Sequence, residues 1–176
     1  MAASDSPHHE AAARARAIGL RFPLVMLAIL GGLGLLLSTV GEPFYTALHT
    51  RLSLATAVVV GHLMNPLGTT VQAGAHVIHE GFAVQIVGEC VGLYEIFIFS
   101  ACVLAYPATW AQRARGLVLG SGLILVFNLL RIVALLLVGA HAPEWFDFFH
   151  LYFWQTTLVL LVGAAWLAWI RWVLPC

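Results

Sequence analysis

Apolar residues in this chain gather in long blocks, and four of the blocks approach the roughly twenty residues that a helix needs to cross a bilayer. They are Phe22–Val40, Leu93–Trp110, Gly116–Val138 and Leu151–Trp172, and each predicts a transmembrane helix. A fifth block, Phe44–Leu67, has an apolar centre at Leu52–Val60 but carries Thr46, His49, Thr50, Arg51, Ser53, His62 and Asn65 around it. The pattern then shortens. Val77-Ile78 and Phe82–Val87 flank His79-Glu80-Gly81, which reads as two short strands about a glycine-containing turn. A lone hairpin is marginal in water, so this one is expected to lean on the helices.

Charge orients the blocks. Arg14, Arg16 and Arg21 precede the first and are expected to hold the N-terminus in the cytoplasm. If Phe44–Leu67 does not span, Arg113, Arg115 and Arg171 fall on that same side. If it spans, Arg113 and Arg115 fall outside, against the positive-inside bias. Phe44–Leu67 is therefore expected to lie in the outer interface, where its polar groups reach water. The expected fold is an all-α polytopic membrane protein with about four transmembrane helices, an interfacial helix and a short extracytoplasmic β-hairpin. Residues 1–21 are expected to be a disordered cytoplasmic N-terminus, and residues 22–176 a single domain embedded in the cytoplasmic (inner) membrane. At about nineteen residues Phe22–Val40 exceeds the 7–15 of a signal-peptide core. The Gly41-Glu42-Pro43 that follows offers no small-x-small cleavage site, so the helix is expected to stay uncleaved.

Composition agrees with a lipid environment. The 176 residues are 61% hydrophobic and 9% charged, and mean hydropathy is +0.95. Soluble domains carry about 25% charged residues, and a chain of this size cannot cover so much apolar surface with one core. Net charge is zero, which gives no footing for nucleic acid; membrane lipids are the expected surroundings. The three cysteines, Cys90, Cys102 and Cys176, are an odd number without metal-knuckle spacing, so at least one is a free thiol. His76-Val77-Ile78-His79-Glu80 departs from the HExxH order, and a strand would send residues 76 and 79 to opposite faces. No metal or cofactor is expected.

Within the apolar blocks a few residues are chemically costly. An arginine at the centre of a span costs about 2.5–3.5 kcal/mol on insertion scales and usually faces the bundle interior at a functional position. Arg131 falls in the outer half of its block, with Asn128 three residues earlier on the same face. It reads either as a structural cation paired with Glu89 or Glu95, or as part of a functional site. Cys90 sits between Gly88 and Gly92 at the head of a helix. A helix N-terminus and a nearby arginine favour the reactive thiolate, while Glu89 opposes it. Cys102, inside Phe97–Tyr106, reads as a small apolar side chain. His141 and His150 flank an aromatic stretch with Trp145, Phe146, Phe148 and Phe149. Either is a wet interfacial histidine or a proton carrier, and His150 stands at the mouth of the last helix, where it could face Cys90 and Arg131.

Cys90 followed by Gly92 at a helix head, Asn128-Leu129-Leu130-Arg131-Ile132 in the next helix and a histidine before the last one resemble the exosortase/archaeosortase family of membrane sorting enzymes. The resemblance runs from about residue 20 to residue 172 and includes the order and spacing of all three pieces. It implies a cysteine transpeptidase or protease whose active site faces the extracytoplasmic side. The implied substrates are exported proteins ending in a short motif, a transmembrane helix and a basic cluster. On that resemblance Cys90 is the nucleophile, Arg131 the positive group at the reacting carbonyl and His150 the acid or base, with His141 a competitor for the third role. Asn128, Glu89, Gly92 and Glu95 are supporting residues. Two other classes compete: a non-enzymatic membrane module (a transporter subunit or assembly factor) in which Arg131 pairs with a glutamate, and an intramembrane serine protease built on Ser121 in Gly120-Ser121-Gly122.

Overall fold

The structure, a computed structural model, describes residues 7–173, with the side chains of residues 7–18 and of Leu20, Leu37, Val40, Glu42 and Glu89 left outside the description. Five α-helices carry the chain: α1 (Pro7–Val40), α2 (Glu42–Met64), α3 (Leu93–Ala105), α4 (Trp110–His141) and α5 (Trp154–Val173). Strands β1 (Thr70–Ala73), β2 (His76–His79) and β3 (Phe82–Gln85) lie between α2 and α3. A 3₁₀ turn at Gly88–Val91 leads into α3, and a 3₁₀ turn at Pro143–Trp145 and a π-helical turn at Phe148–Phe153 lead into α5. The protein is thus a helical membrane protein with a small antiparallel sheet.

Several boundaries differ from those read in the sequence. Helix α1 begins at Pro7, ahead of the first apolar block, and residues 1–6 of the N-terminus expected to be disordered lie outside the described residues. Instead of reaching Trp110, the second block ends as helix α3 at Ala105, because Tyr106 turns to an extended conformation ahead of Pro107, whose ring excludes a helical predecessor. Thr109 then starts α4 with a capping box: its hydroxyl accepts from the Gln112 N–H at 3.3 Å, and Gln112 Oε1 accepts from the Thr109 N–H at 2.9 Å. The hairpin is a three-stranded meander in the order β1-β2-β3, since Thr70–Ala73 also pairs with His76–His79. Its second turn places Glu80 at φ 48° and Gly81 at φ 85°, the pair of positive values that a tight antiparallel connection needs.

Among the described residues three helices are suited by length and composition to cross a membrane: Pro43–Leu67, Trp110–His141 and Pro143–Val173; Arg21–Leu36 and Leu93–Ala105 are shorter apolar helices. The Phe44–Leu67 block, expected to be interfacial, is thus apolar enough to span, but its packing lies at one end of the molecule. Ala57, Val60 and Met64 of α2 bury against Val77 and Ile86 of the sheet region and Ile132 and Leu136 in the second half of α4. A separate core fills the opposite end, where Phe99 and Val103 of α3 meet Ile124 of α4 and Trp169 of α5. Two glycines make that contact close. A Cβ at Gly116 would lie 2.3 Å from the Trp169 ring, and one at Gly120 would lie 2.1 Å from the Phe99 ring. Trp169 Nε1 reaches past Gly116 to donate to the Gln112 carbonyl at 3.1 Å. Small residues at a membrane helix interface allow this approach.

Candidate functional site

At the sheet end the chain leaves β3 and folds into the Gly88–Val91 turn, closed by the Cys90 N–H donating to the Val87 carbonyl at 2.9 Å. Gly92 follows in the left-handed region, φ 82°, and redirects the chain into α3. Only glycine takes that conformation without strain. The position is also crowded, since a Cβ there would lie 3.3 Å from the Asn128 side chain. Asn128 is buried on α4 and donates from Nδ2 to the Cys90 carbonyl. The turn that bears the thiol is therefore fastened to the helix that bears the arginine.

One helical turn along α4 lies Arg131, only 6% exposed. The pairing with Glu95 that a structural cation would make is not seen: Arg131 Nε and Glu95 Oε2 are both buried without a hydrogen-bond partner among the described residues. A buried ion that lacks its partner carries a solvation penalty of several kcal/mol. Such a group is held in place by the rest of the fold, and its free donors face the space beside it.

His150 reaches that space through the π-helical turn. The Trp154 N–H donates to the Phe149 carbonyl, five residues back, so the chain gains a residue per turn before α5 begins. Turns of this kind are rare and recur at functional sites. The His150 ring stacks on Phe146, with ring centres 5.4 Å apart. Phe146 in turn packs against Phe82 of β3, with ring centres 5.1 Å apart. The aromatic stretch thus buttresses the imidazole rather than merely marking an interface.

These elements enclose a cavity of about 760 Å³ lined by Cys90, Arg131 and His150, with Tyr94, Glu95 and Gln155 adding polar groups and Ile98, Leu158 and Val162 an apolar wall. A second space, about 260 Å³, shares Cys90, Arg131 and His150 and extends under β3. Three side chains widely separated in sequence therefore meet at one place, and Glu95 joins them.

The other sequence candidates lie elsewhere. His141, the competitor for the third role, is exposed at the end of α4 with Nδ1 donating to the Leu137 carbonyl at 3.0 Å, and it borders neither space. Ser121 is ten residues before Arg131 on α4, about 15 Å along the helix axis toward the opposite core. Cys102 packs its sulfur 3.7 Å from that of Met26, and Cys176 lies outside the described residues, as does the Glu89 side chain.

Two polar lining residues are not among the candidates read from the sequence. Tyr94 borders the thiol cavity, and its hydroxyl is hydrogen-bonded to that of Tyr45 on α2. Gln155 sits five residues after His150, the spacing that the π turn brings onto one face. A glutamine inside an otherwise apolar block was the available signal.

A buried cation, a thiol at a fastened turn and an imidazole around one cavity, on a largely helical apolar scaffold, define a membrane protein with an enzyme-like site. Residues 12–167 match the model of the family described as transmembrane exosortase (Exosortase_EpsH), and the chain belongs to that family, a group of membrane enzymes related to protein sorting. No curated protein and no solved structure matches the chain.

Proposed function

We propose that the protein is a cysteine transpeptidase or protease that removes the C-terminal sorting tails of exported proteins through a thioester on Cys90, on the extracytoplasmic side of the cytoplasmic membrane. The observation that carries this reading is the convergence of Cys90, Arg131 and His150 on one cavity of about 760 Å³. Family membership supports it.

His150 takes the Cys90 proton, and the thiolate attacks the scissile carbonyl carbon, so that a C–S bond forms and the carbonyl oxygen becomes an oxyanion. Arg131, with no competing partner among the described residues, supplies positive charge to that oxyanion. The C–N bond then breaks, and the imidazolium returns its proton to the leaving amine. The neutral His150 next deprotonates a second nucleophile, which attacks the thioester and releases Cys90. The low polarity of the cavity strengthens each electrostatic contact.

The lack of a glutamate bonded to Arg131 Nε among the described residues weighs against a structural cation in a non-enzymatic module, and the axial distance of Ser121 weighs against a serine protease. Replacing Cys90 by alanine and following tail removal from a tailed substrate in membranes tests the proposal. Loss of processing supports it, and normal processing by Cys90→Ala sinks it.

A further inference from the structure

The sheet ends on an open edge beside the thiol. In the order β1-β2-β3, β3 is an outer strand. The opposite outer strand lies against α2, where a Cβ on Gly61 would touch Gln72 at 3.3 Å. No strand pairs with the outer side of β3 among the described residues.

The register identifies which backbone groups are free. Val84 pairs with Val77, and the Ile86 N–H donates to the Ala75 carbonyl at 2.8 Å. In an antiparallel ladder a residue bonded to its neighbour turns both backbone groups inward, and the next residue turns both outward. Phe82, Val84 and Ile86 therefore face β2, while the N–H and carbonyl of Ala83 and Gln85 face away from the ladder. A free row of such groups is a template for another extended chain.

A groove runs along this edge. The space of about 260 Å³ is bounded on one side by residues 82–87, on the other by Ile132 and Leu135 of α4 together with Phe146, and it ends at Cys90, Arg131 and His150. A four-residue strand is about 13 Å long, which matches a short extended motif. The groove is continuous with the catalytic cavity through Val87, Cys90, Arg131 and His150, which line both.

We propose that the extended motif of the substrate tail adds to β3 as a fourth strand, hydrogen-bonded through the backbone of Ala83 and Gln85, and is thereby led to Cys90. This rests on the tail-processing reading and names how that site grips its polypeptide. Backbone pairing supplies affinity while the side chains of alternate residues are sampled by the groove. Recognition would then depend on an extended backbone, with side-chain demands falling on alternate residues of the motif.

The experiment uses the full chain in lipid and a synthetic tail that the wild-type protein cleaves, with affinity measured on Cys90→Ala so that turnover does not enter. Gln85→Pro removes one outward N–H while leaving the β2 ladder intact, a placement proline tolerates on an edge. It is expected to weaken binding by about tenfold, whereas Gln85→Ala binds as the parent does. In a second arm, tails N-methylated at successive motif residues bind the unaltered edge, and the loss is expected at every second position. Parent-level affinity for Gln85→Pro, or equal effects at adjacent N-methyl positions, overturns the added strand. Failure of the tail-processing reading looks different: Cys90→Ala would still cleave the tail.

Discussion

Asn128 on α4 donates a hydrogen bond to the backbone carbonyl of Cys90. The thiol and the arginine, which belong to different helices, are thus related through one buried amide three residues from Arg131. The same side chain fills the space beside Gly92, where the chain takes its left-handed step into α3. The amide thereby helps to fix the position of the sulfur relative to the guanidinium.

Replacing Asn128 by leucine is therefore expected to lower stability by about 1–3 kcal/mol, the cost of leaving a buried carbonyl unpaired. Gly92→Ala is expected to cost about 1–2 kcal/mol for its left-handed conformation, and the new methyl must also displace the amide. Thermal unfolding in detergent measures both losses. Each variant is also expected to process tails more slowly than its remaining folded fraction explains.

Arg131 separates an enzyme from a structural bundle. It is buried without a partner for Nε, so replacing it by methionine removes an uncompensated cation. The expected result for Arg131→Met is an unchanged or higher melting temperature with tail removal reduced by about 100- to 1,000-fold, the usual effect of deleting one oxyanion donor. A structural cation would give the reverse: a destabilised protein with activity in proportion to its folded amount.

The two loop histidines are expected to differ. His150 lines the cavity and His141 does not. His150→Ala is expected to lose about 100- to 10,000-fold in turnover, the range for a positioned acid–base group. His141→Ala is expected to retain activity within about twofold, because an exposed polar residue away from the site contributes little. Initial rates of tail release measure both.

Much of this arrangement was legible because lipid makes polar residues expensive. Arg131 and Asn128 stand out in an apolar block, Cys90 is framed by glycines, and His150 precedes the last apolar run. What stayed hidden depended on backbone geometry that no single residue announces. Helix α3 is shorter than its block because Pro107 ends it, a stop that hydropathy does not register. The strand Thr70–Ala73 is short and mostly exposed, with Val71 its one large apolar residue, so its alternation barely registers. The π turn has no sequence signature, and without it the spacing of His150 and Gln155 suggests no shared face. A salt bridge is one of the two readings that the sequence leaves open for Arg131; in the structure Glu95 lines the same cavity without bonding to Arg131 Nε.

The central claim is covalent chemistry at Cys90, and mass spectrometry of the protein quenched in acid during tail processing tests it most directly. The expected result is an adduct equal in mass to the acyl part of the substrate, mapped to the peptide containing Cys90 and released by hydroxylamine. Steady processing with Cys90 unmodified throughout, or with the adduct on another residue, would contradict it.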